Sequence, residues 1–407
     1  MTSLLLITAF FLFVDLYAFQ AVRAHGRFGQ RKIVAIVYWL LALLSASIPA
    51  VFYFYGWERI GIIQRSLMMS WLIVHYVPRM VIGLFLLLED SYRIIRWLFS
   101  HMQKQAGNPV SLSRKRFLSQ TALIAGGLLS LQFVYGMART AYHYRIVRQP
   151  LRIKGLPRVF EGMNIVQISD LHVGSFMSRH PVEEVVERIH EQKPDAIFFT
   201  GDMVNNRSDE LLPYLPTLRR LRAPLGIFAI RGNHDFGDYY DWGSEAERQA
   251  DAELLKQFYE ELGWHLLNNR HYLLERQGHK LAIAGVDNWS AHKRFRQYGN
   301  LEQALTGTED VNVRLLLSHD PSHWDAQVLS FPLPVAATFS GHTHGFQFGV
   351  ELPGLKWSPA QWLYPRWAGL YEEQGKYLYV NRGIGFVGYS GRVGIRPEIT
   401  VFQLIAV

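Results

Sequence analysis

The 407-residue chain contains no cysteine. That excludes disulfides, thiolate metal sites and a cysteine nucleophile. It assigns no compartment, because a cysteine-free chain tolerates oxidising and reducing spaces alike. Internal repeats and low-complexity tracts are also missing. The second half has no basic stripe interleaved with aromatics, which argues against a nucleic-acid partner. The formal charge is nevertheless +8. Much of it lies in short connectors between apolar runs, where positive charge sets membrane topology.

Those apolar runs dominate residues 1–140. Four stretches, near 3–22, 33–55, 67–88 and 117–138, approach or exceed the roughly 20 residues that span hydrocarbon. They predict a bundle of about four transmembrane helices. Asp15, in the first, is expensive in lipid and is expected to face another helix. His75 and the Pro78-Arg79 pair predict a kinked or partly interfacial third helix. The first connector carries Arg23, Arg27, Arg31 and Lys32. The third carries Arg93, Arg96, Lys104, Arg114, Lys115 and Arg116, whereas the second has only Arg59 and Arg65 near Glu58. The positive-inside rule then puts connectors one and three in the cytoplasm and everything after Arg139 outside it. "SRKRFL" at Ser113–Leu118 is similar to a twin-arginine export motif with Lys115 in place of the second arginine, and equally reads as the basic flank of a helix.

Residues 141–163 are basic and aromatic and are expected to form a membrane-proximal linker. The remaining 164–407 are long enough for one large domain. Short β-branched runs alternate there with amphipathic stretches near 181–192, 209–222 and 244–262. That pattern predicts an α/β sheet core, and the strand-rich tail a second sheet. Five predicted strands end in chemistry-bearing residues: Asp170-Leu171-His172, Gly201-Asp202, Gly232-Asn233-His234-Asp235, Ser318-His319-Asp320 and Gly341-His342-Thr343-His344. One Asp after a strand is usually a turn residue or a cap. Five such ends in one domain instead mark a shared centre, because open α/β sheets bind ligands at their carboxyl edge. Glycines before Asp202, Asn233 and His342 would allow sharp turns with positive φ.

In order, these blocks resemble the calcineurin-like metallophosphoesterase superfamily, whose pattern is D-x-H, G-D, G-N-H-[DE], H and G-H-x-H. The tail, with "LYVNRGIG" and "RPEITVFQL", is similar to the bacterial membrane-anchored branch. The resemblance implies a four-layer α/β/β/α sandwich and two divalent metal ions. Asp170, His172 and His344 would hold the first, Asn233, His319 and His342 the second, and Asp202 would bridge them. Mixed oxygen and imidazole donors suit Mn, Fe or Zn. Such a pair can acidify a water and clamp a phosphoryl group, so the implied activity is hydrolysis of a phosphodiester, phosphomonoester or pyrophosphate. His234 would protonate the leaving oxygen or hydrogen-bond the phosphoryl group. The alternative is a non-catalytic cell-envelope binding module that retains the metal site. The implied location is the inner or plasma membrane of a bacterium, with the catalytic domain extracytoplasmic.

Two positions depart from that pattern. Many relatives carry an aspartate where Asn205 stands, and it orients the catalytic histidine. Here either Asp235 or another carboxylate substitutes, or catalysis leans on the metals more than on the acid. Phe346 replaces a frequent glycine and would narrow the pocket or wall it with apolar surface. Arg207 reads as a solvated arginine or a phosphate contact. Trp357, Trp362 and Trp367 lie in a proline-rich stretch that packs on the core or, if exposed, rests on the bilayer. In the second case membrane lipids are partners and the substrate is lipid-linked. No sequence feature assigns an oligomeric state.

Overall fold

The computed structural model describes residues 2–23, 28–102 and 112–407. Arg27 and Lys104 of the basic connectors lie outside the described residues. The chain divides into two compact units, Met1–Tyr135 and Gly136–Val407.

The first unit is built from α1 (Thr2–Arg23), α2 (Phe28–Tyr55), α3 (Ile62–Met102) and most of α4 (Leu112–Ala138). All four helices are long and apolar enough to cross a membrane. This is a membrane protein. Helix α3 differs from its expected extent: it runs unbroken for 41 residues through Pro78. Asp15 is fully buried against it. Its carboxylate lies 2.9 Å from Arg79 Nε, 3.3 Å from His75 Nε2 and 3.4 Å from the Tyr76 hydroxyl. A charge in hydrocarbon is tolerable only when paired in this way.

The second unit runs β1 (Arg145–Ile153), β2 (Asn164–Ile168), α5 (His180–Glu191), β3 (Ala196–Phe199), the single turn α6 (Leu215–Leu218), β4 (Ile227–Ala229), α7 (Glu245–Glu261) and β5 (His265–Leu266). It continues through β6 (Arg270–Arg276), β7 (His279–Gly285), α8 (Leu301–Leu305), β8 (Val313–Leu317), β9 (Ala337–Ser340), β10 (Val350–Leu352), β11 (Leu355–Trp357), β12 (Gly369–Glu373), β13 (Lys376–Val380) and β14 (Glu398–Ala406). Two six-stranded sheets form, in the orders β1-β14-β2-β3-β4-β5 and β12-β13-β9-β8-β7-β6, beside a two-stranded ribbon β10-β11.

Period-two side-chain alternation decides the layers. Ile165, Phe198 and Phe228 meet Ile283, Leu315 and Phe339 between the sheets. The alternate residues Val166, Ile197 and Phe199 pack under Val185 and Ile189 of α5 and Phe258 of α7. On the far side, Leu316 and Val380 pack under Leu301 and Leu305 of α8. The result is the expected α/β/β/α order.

Two local expectations differ. Residues 145–153 of the presumed linker form β1, which pairs in parallel with β14 along its whole length. The C-terminal strand offers an open edge there, and pairing outweighs the polar composition of β1. The stretch expected as a helix at 209–222 is a 3-10 segment, Ser208–Tyr214, followed by the single turn α6. Pro213 and Pro216 remove the amide donors that a longer α-helix requires.

Candidate metal centre

Strands β2, β3 and β4 are neighbours in one sheet, and β8 and β9 in the other. Each deposits its chemistry-bearing residues just past its carboxyl end. Packing the sheets face to face brings all five ends to one place. The backbone there is unusual. Asp170, His172, Asp202, His342, His344 and Phe346 all take left-handed φ values between 45° and 70°. Non-glycine residues avoid that region, and clusters of them mark functional sites. The glycines act otherwise than expected. Gly201 has φ +96°, but Gly232 and Gly341 do not need positive φ. Their role is close approach: a Cβ at Gly232 would strike Asp202 Oδ1, and one at Gly341 would strike Ser169 and Asp170 Oδ2.

Two clusters of donor atoms meet at one carboxylate oxygen. Asp202 Oδ2 is 3.5 Å from His172 Nε2 and 3.1 Å from His319 Nε2. On the first side, His344 Nε2 is 3.1 Å from His172 Nε2 and 3.2 Å from Asp170 Oδ1. On the second, His342 Nδ1 lies 2.7 Å from Asn233 Oδ1 and 3.2 Å from His319 Nε2. The groups Asp170–His172–His344 and Asp202–His319–His342 each converge tightly enough to hold an ion.

The surrounding hydrogen bonds prepare these atoms as ligands. His319 Nδ1–H donates to the Thr200 carbonyl at 2.7 Å, which leaves the Nε2 lone pair for the centre. His342 Nε2 is taken by the Tyr364 hydroxyl at 2.8 Å, which leaves Nδ1. Burial pushes His172 down to about 3 and His342 down to about 4, so both rings are neutral. Burial would raise the Asp170 carboxyl, but the adjacent His344 outweighs it and brings the group to about 2. Burial opposes charge on His319 too, yet Asp202 raises it to about 10. Two fully buried carboxylates thus demand positive charge, and a divalent cation supplies it without a proton. The donor set of carboxylate, amide and imidazole, cradled by glycines that admit no Cβ, fits two hard or borderline cations.

His234 completes the first side. Its ring stands edge-on to His172, with centroids 4.8 Å apart. Its Nδ1–H donates to the main-chain carbonyl of Asn205 at 2.6 Å. The expected carboxylate substitute does not hold the ring. Asp235 is turned away and accepts from the amides of Asp202, Met203 and Gly232 at 2.8–2.9 Å. The Asn205 side chain is buried and donates to Ser175 at 2.7 Å, so it faces no substrate. Arg207 pairs with Asp209 at 2.5 Å and covers Tyr240. Phe346 is exposed beside His344.

Several contributors have no motif to betray them. Tyr239 accepts from Asn233 Nδ2 at 2.8 Å and its ring lies 4.5 Å from His234. Phe295 stands edge-on to His342 at 4.9 Å, with the exposed Arg294 stacked on its outer face. Tyr364 belongs to the aromatic stretch, where only its place in the fold shows that it touches a ligand. A cleft of about 340 Å³, lined by His292, Pro321, Leu363 and Tyr364 among others, opens beside it. The three tryptophans divide: Trp367 is buried, Trp357 half-buried and Trp362 exposed.

Comparison with known proteins places these features in a family context. Residues 1–141 match a family model described as a probable calcineurin-like phosphoesterase transmembrane domain, and residues 163–346 match the calcineurin-like phosphoesterase model. An uncharacterized metallophosphoesterase of Bacillus subtilis is 32% identical over 72% of this chain and 98% of its own length. A transmembrane protein with a metallophosphoesterase domain from Danio rerio is 28% identical, over 69% of this chain and 61% of that protein. An uncharacterized metallophosphoesterase of Helicobacter pylori is 26% identical over 99% of both chains.

Proposed function

The chain belongs to the calcineurin-like metallophosphoesterase family, and on that premise we propose that it is a membrane-anchored hydrolase of phosphate esters or anhydrides with two divalent ions, of Mn, Fe or Zn type. The observation that carries this is the single oxygen, Asp202 Oδ2, shared by two donor clusters. Asp170, His172 and His344 would hold one ion, and Asn233, His319 and His342 the other, with Asp202 between. When bound, two such ions supply an acidified water and neutralise charge on a phosphoryl group.

The chain's own residues do the rest. His234, with Nδ1–H fixed on the Asn205 carbonyl, turns Nε2 to the centre and gives its proton to the leaving oxygen. Arg294, stacked on Phe295, lies beside Tyr364 at the rim of the second cluster and has no acidic partner among the described residues. It would hold a phosphoryl oxygen. Phe346 walls the opposite side with apolar surface. That wall, on a chain with four membrane helices, favours a lipid-linked phosphate or pyrophosphate over a soluble one. By the positive-inside distribution, the catalytic unit would face the extracytoplasmic side of a bacterial plasma membrane.

The test uses the full chain in nanodiscs with Mn2+ or Zn2+. Bound metal, and hydrolysis of bis-p-nitrophenyl phosphate, p-nitrophenyl phosphate and a pyrophosphate diester, are measured together. Two ions per chain and turnover of at least one substrate are expected. Asp202→Asn should lose metal and turnover, whereas His234→Asn should keep metal and lose about 10²- to 10⁴-fold in kcat. Two bound ions with no hydrolysis of any substrate would leave only a binding module.

A further inference from the structure

The ribbon β10-β11 is amphipathic the wrong way round for a soluble protein. Its register pairs Glu351 with Lys356 on one face, and Val350 with Trp357 and Leu352 with Leu355 on the other. A two-stranded ribbon on a water-soluble domain turns its apolar face inward. Here the charged face is the one tied to the rest of the domain. Glu351 meets Arg382 Nε at 3.0 Å and Arg145 at 3.3 Å. The Lys356 amino group turns in to the Ala368 carbonyl and sits 4.7 Å over the Trp367 ring. These pairs pin the register, since a one-residue slip would exchange the faces. The outer face presents Leu352 at 62% and Leu355 at 51% exposure, flanked by Phe346, Leu363 and Trp362, the last 72% exposed.

The geometry points to this face as a bilayer-seating surface, with the lipid interface as its occupant. Three features favour lipid over a protein. First, the chain itself carries helices that require a bilayer, and only the seven steps from Ala138 to Arg145 separate α4 from β1, at most ~25 Å of extended chain. Second, the residue at which the second unit begins, Gly136, lies close to the ribbon. The Arg392 amide donates to the Gly136 carbonyl at 3.2 Å, and the adjoining Val393 exchanges backbone bonds with Gln347 and Gly349 at 2.7 and 2.9 Å. Third, the outward chemistry suits an interface: a leucine pair at a Pro353-Gly354 turn and an exposed tryptophan. Exposed apolar patches of this kind mark interaction surfaces. Phe346 lies two residues from His344, and Trp362 two from Tyr364. A surface seated in lipid would therefore bring headgroup phosphates to the centre.

The absence of cysteine makes the test clean, and its readout does not depend on hydrolysis. Leu355→Cys and, as an exposed leucine control off the ribbon, Leu212→Cys are each labelled with an environment-sensitive fluorophore in the full chain. The protein is reconstituted below one copy per vesicle in phosphatidylcholine with phosphatidylglycerol, with or without lipids bearing a nitroxide high on the acyl chain. The label at position 355 should emit to the blue and be quenched by nitroxide about twofold or more beyond that at 212. Aqueous emission and no differential quenching at 355 would overturn the inference. A blue shift that appears only at several copies per vesicle, without nitroxide quenching, would assign the face to a second copy and overturn it equally.

Discussion

His234, the proposed proton donor, illustrates how little such a side chain leaves to its neighbours' side chains here. Its orientation is set by a main-chain carbonyl, which any residue at 205 can present, provided the loop keeps its path. Asn205→Ala should therefore cost about 1 kcal/mol of stability through the lost Ser175 bond, and leave kcat within about threefold. Rates and thermal unfolding of the purified variant check this. A loss as large as that of His234→Asn would show that the side-chain amide is needed. The sequence revealed the departure at 205 but not its remedy. Motifs name side chains, whereas the hydrogen bond that matters runs to a backbone atom. Tyr364 and Tyr239 were illegible for a related reason: they reach the ligands only because separate loops fold over the same strand ends.

At the scale of an element, the 3-10 segment Ser208–Tyr214 hangs on one carboxylate. Glu210 accepts from the amides of Asn205, Asn206 and Arg207 at 2.7–3.2 Å, which shapes the loop that carries the Asn205 carbonyl. Burial raises its carboxyl to about 7, against 4.5 for the free group. The folded state then binds a proton that the unfolded chain releases, so this contribution to stability is full below about pH 4.5 and falls as pH rises to about 7. The change is up to ~3 kcal/mol. Urea unfolding of the full chain across that range should show the decline, and Glu210→Gln should flatten it. An unchanged slope in that variant would assign the pH dependence to another group. Strands were the legible elements, because the β-branched runs are short and several end at a Gly or Asp. The edge strand β1 was not, because its polar residues look like a linker until β14 offers it a partner. The ribbon was hidden similarly, since alternation tells which residues share a face but not which face is turned outward.

At the scale of the whole molecule, two buried carboxylates at the meeting of two sheets would tie the stability of the fold to the proposed ions. A ligand whose Kd is a hundredth of its free concentration adds about 2.7 kcal/mol. Saturating Mn2+ should then raise the unfolding midpoint of the catalytic unit by ~5–10 °C, and a chelator should reverse it. Asp202→Asn should abolish the shift, as read by intrinsic tryptophan fluorescence in nanodiscs. A midpoint indifferent to metal and chelator would mean that the donor atoms hold no ion.

The sequence by itself determined that four helices span a membrane, that strands alternate with helices beyond them, and that ligand-type residues follow five strand ends. Those properties are local: apolar length, period-two alternation, and which residue follows a strand. Only the tertiary structure decided that β1 is a strand, that His234 leans on a main-chain carbonyl and that the ribbon turns its leucines outward. Each of these depends on what the rest of the chain leaves unpaired nearby, and composition along the chain carries no record of that.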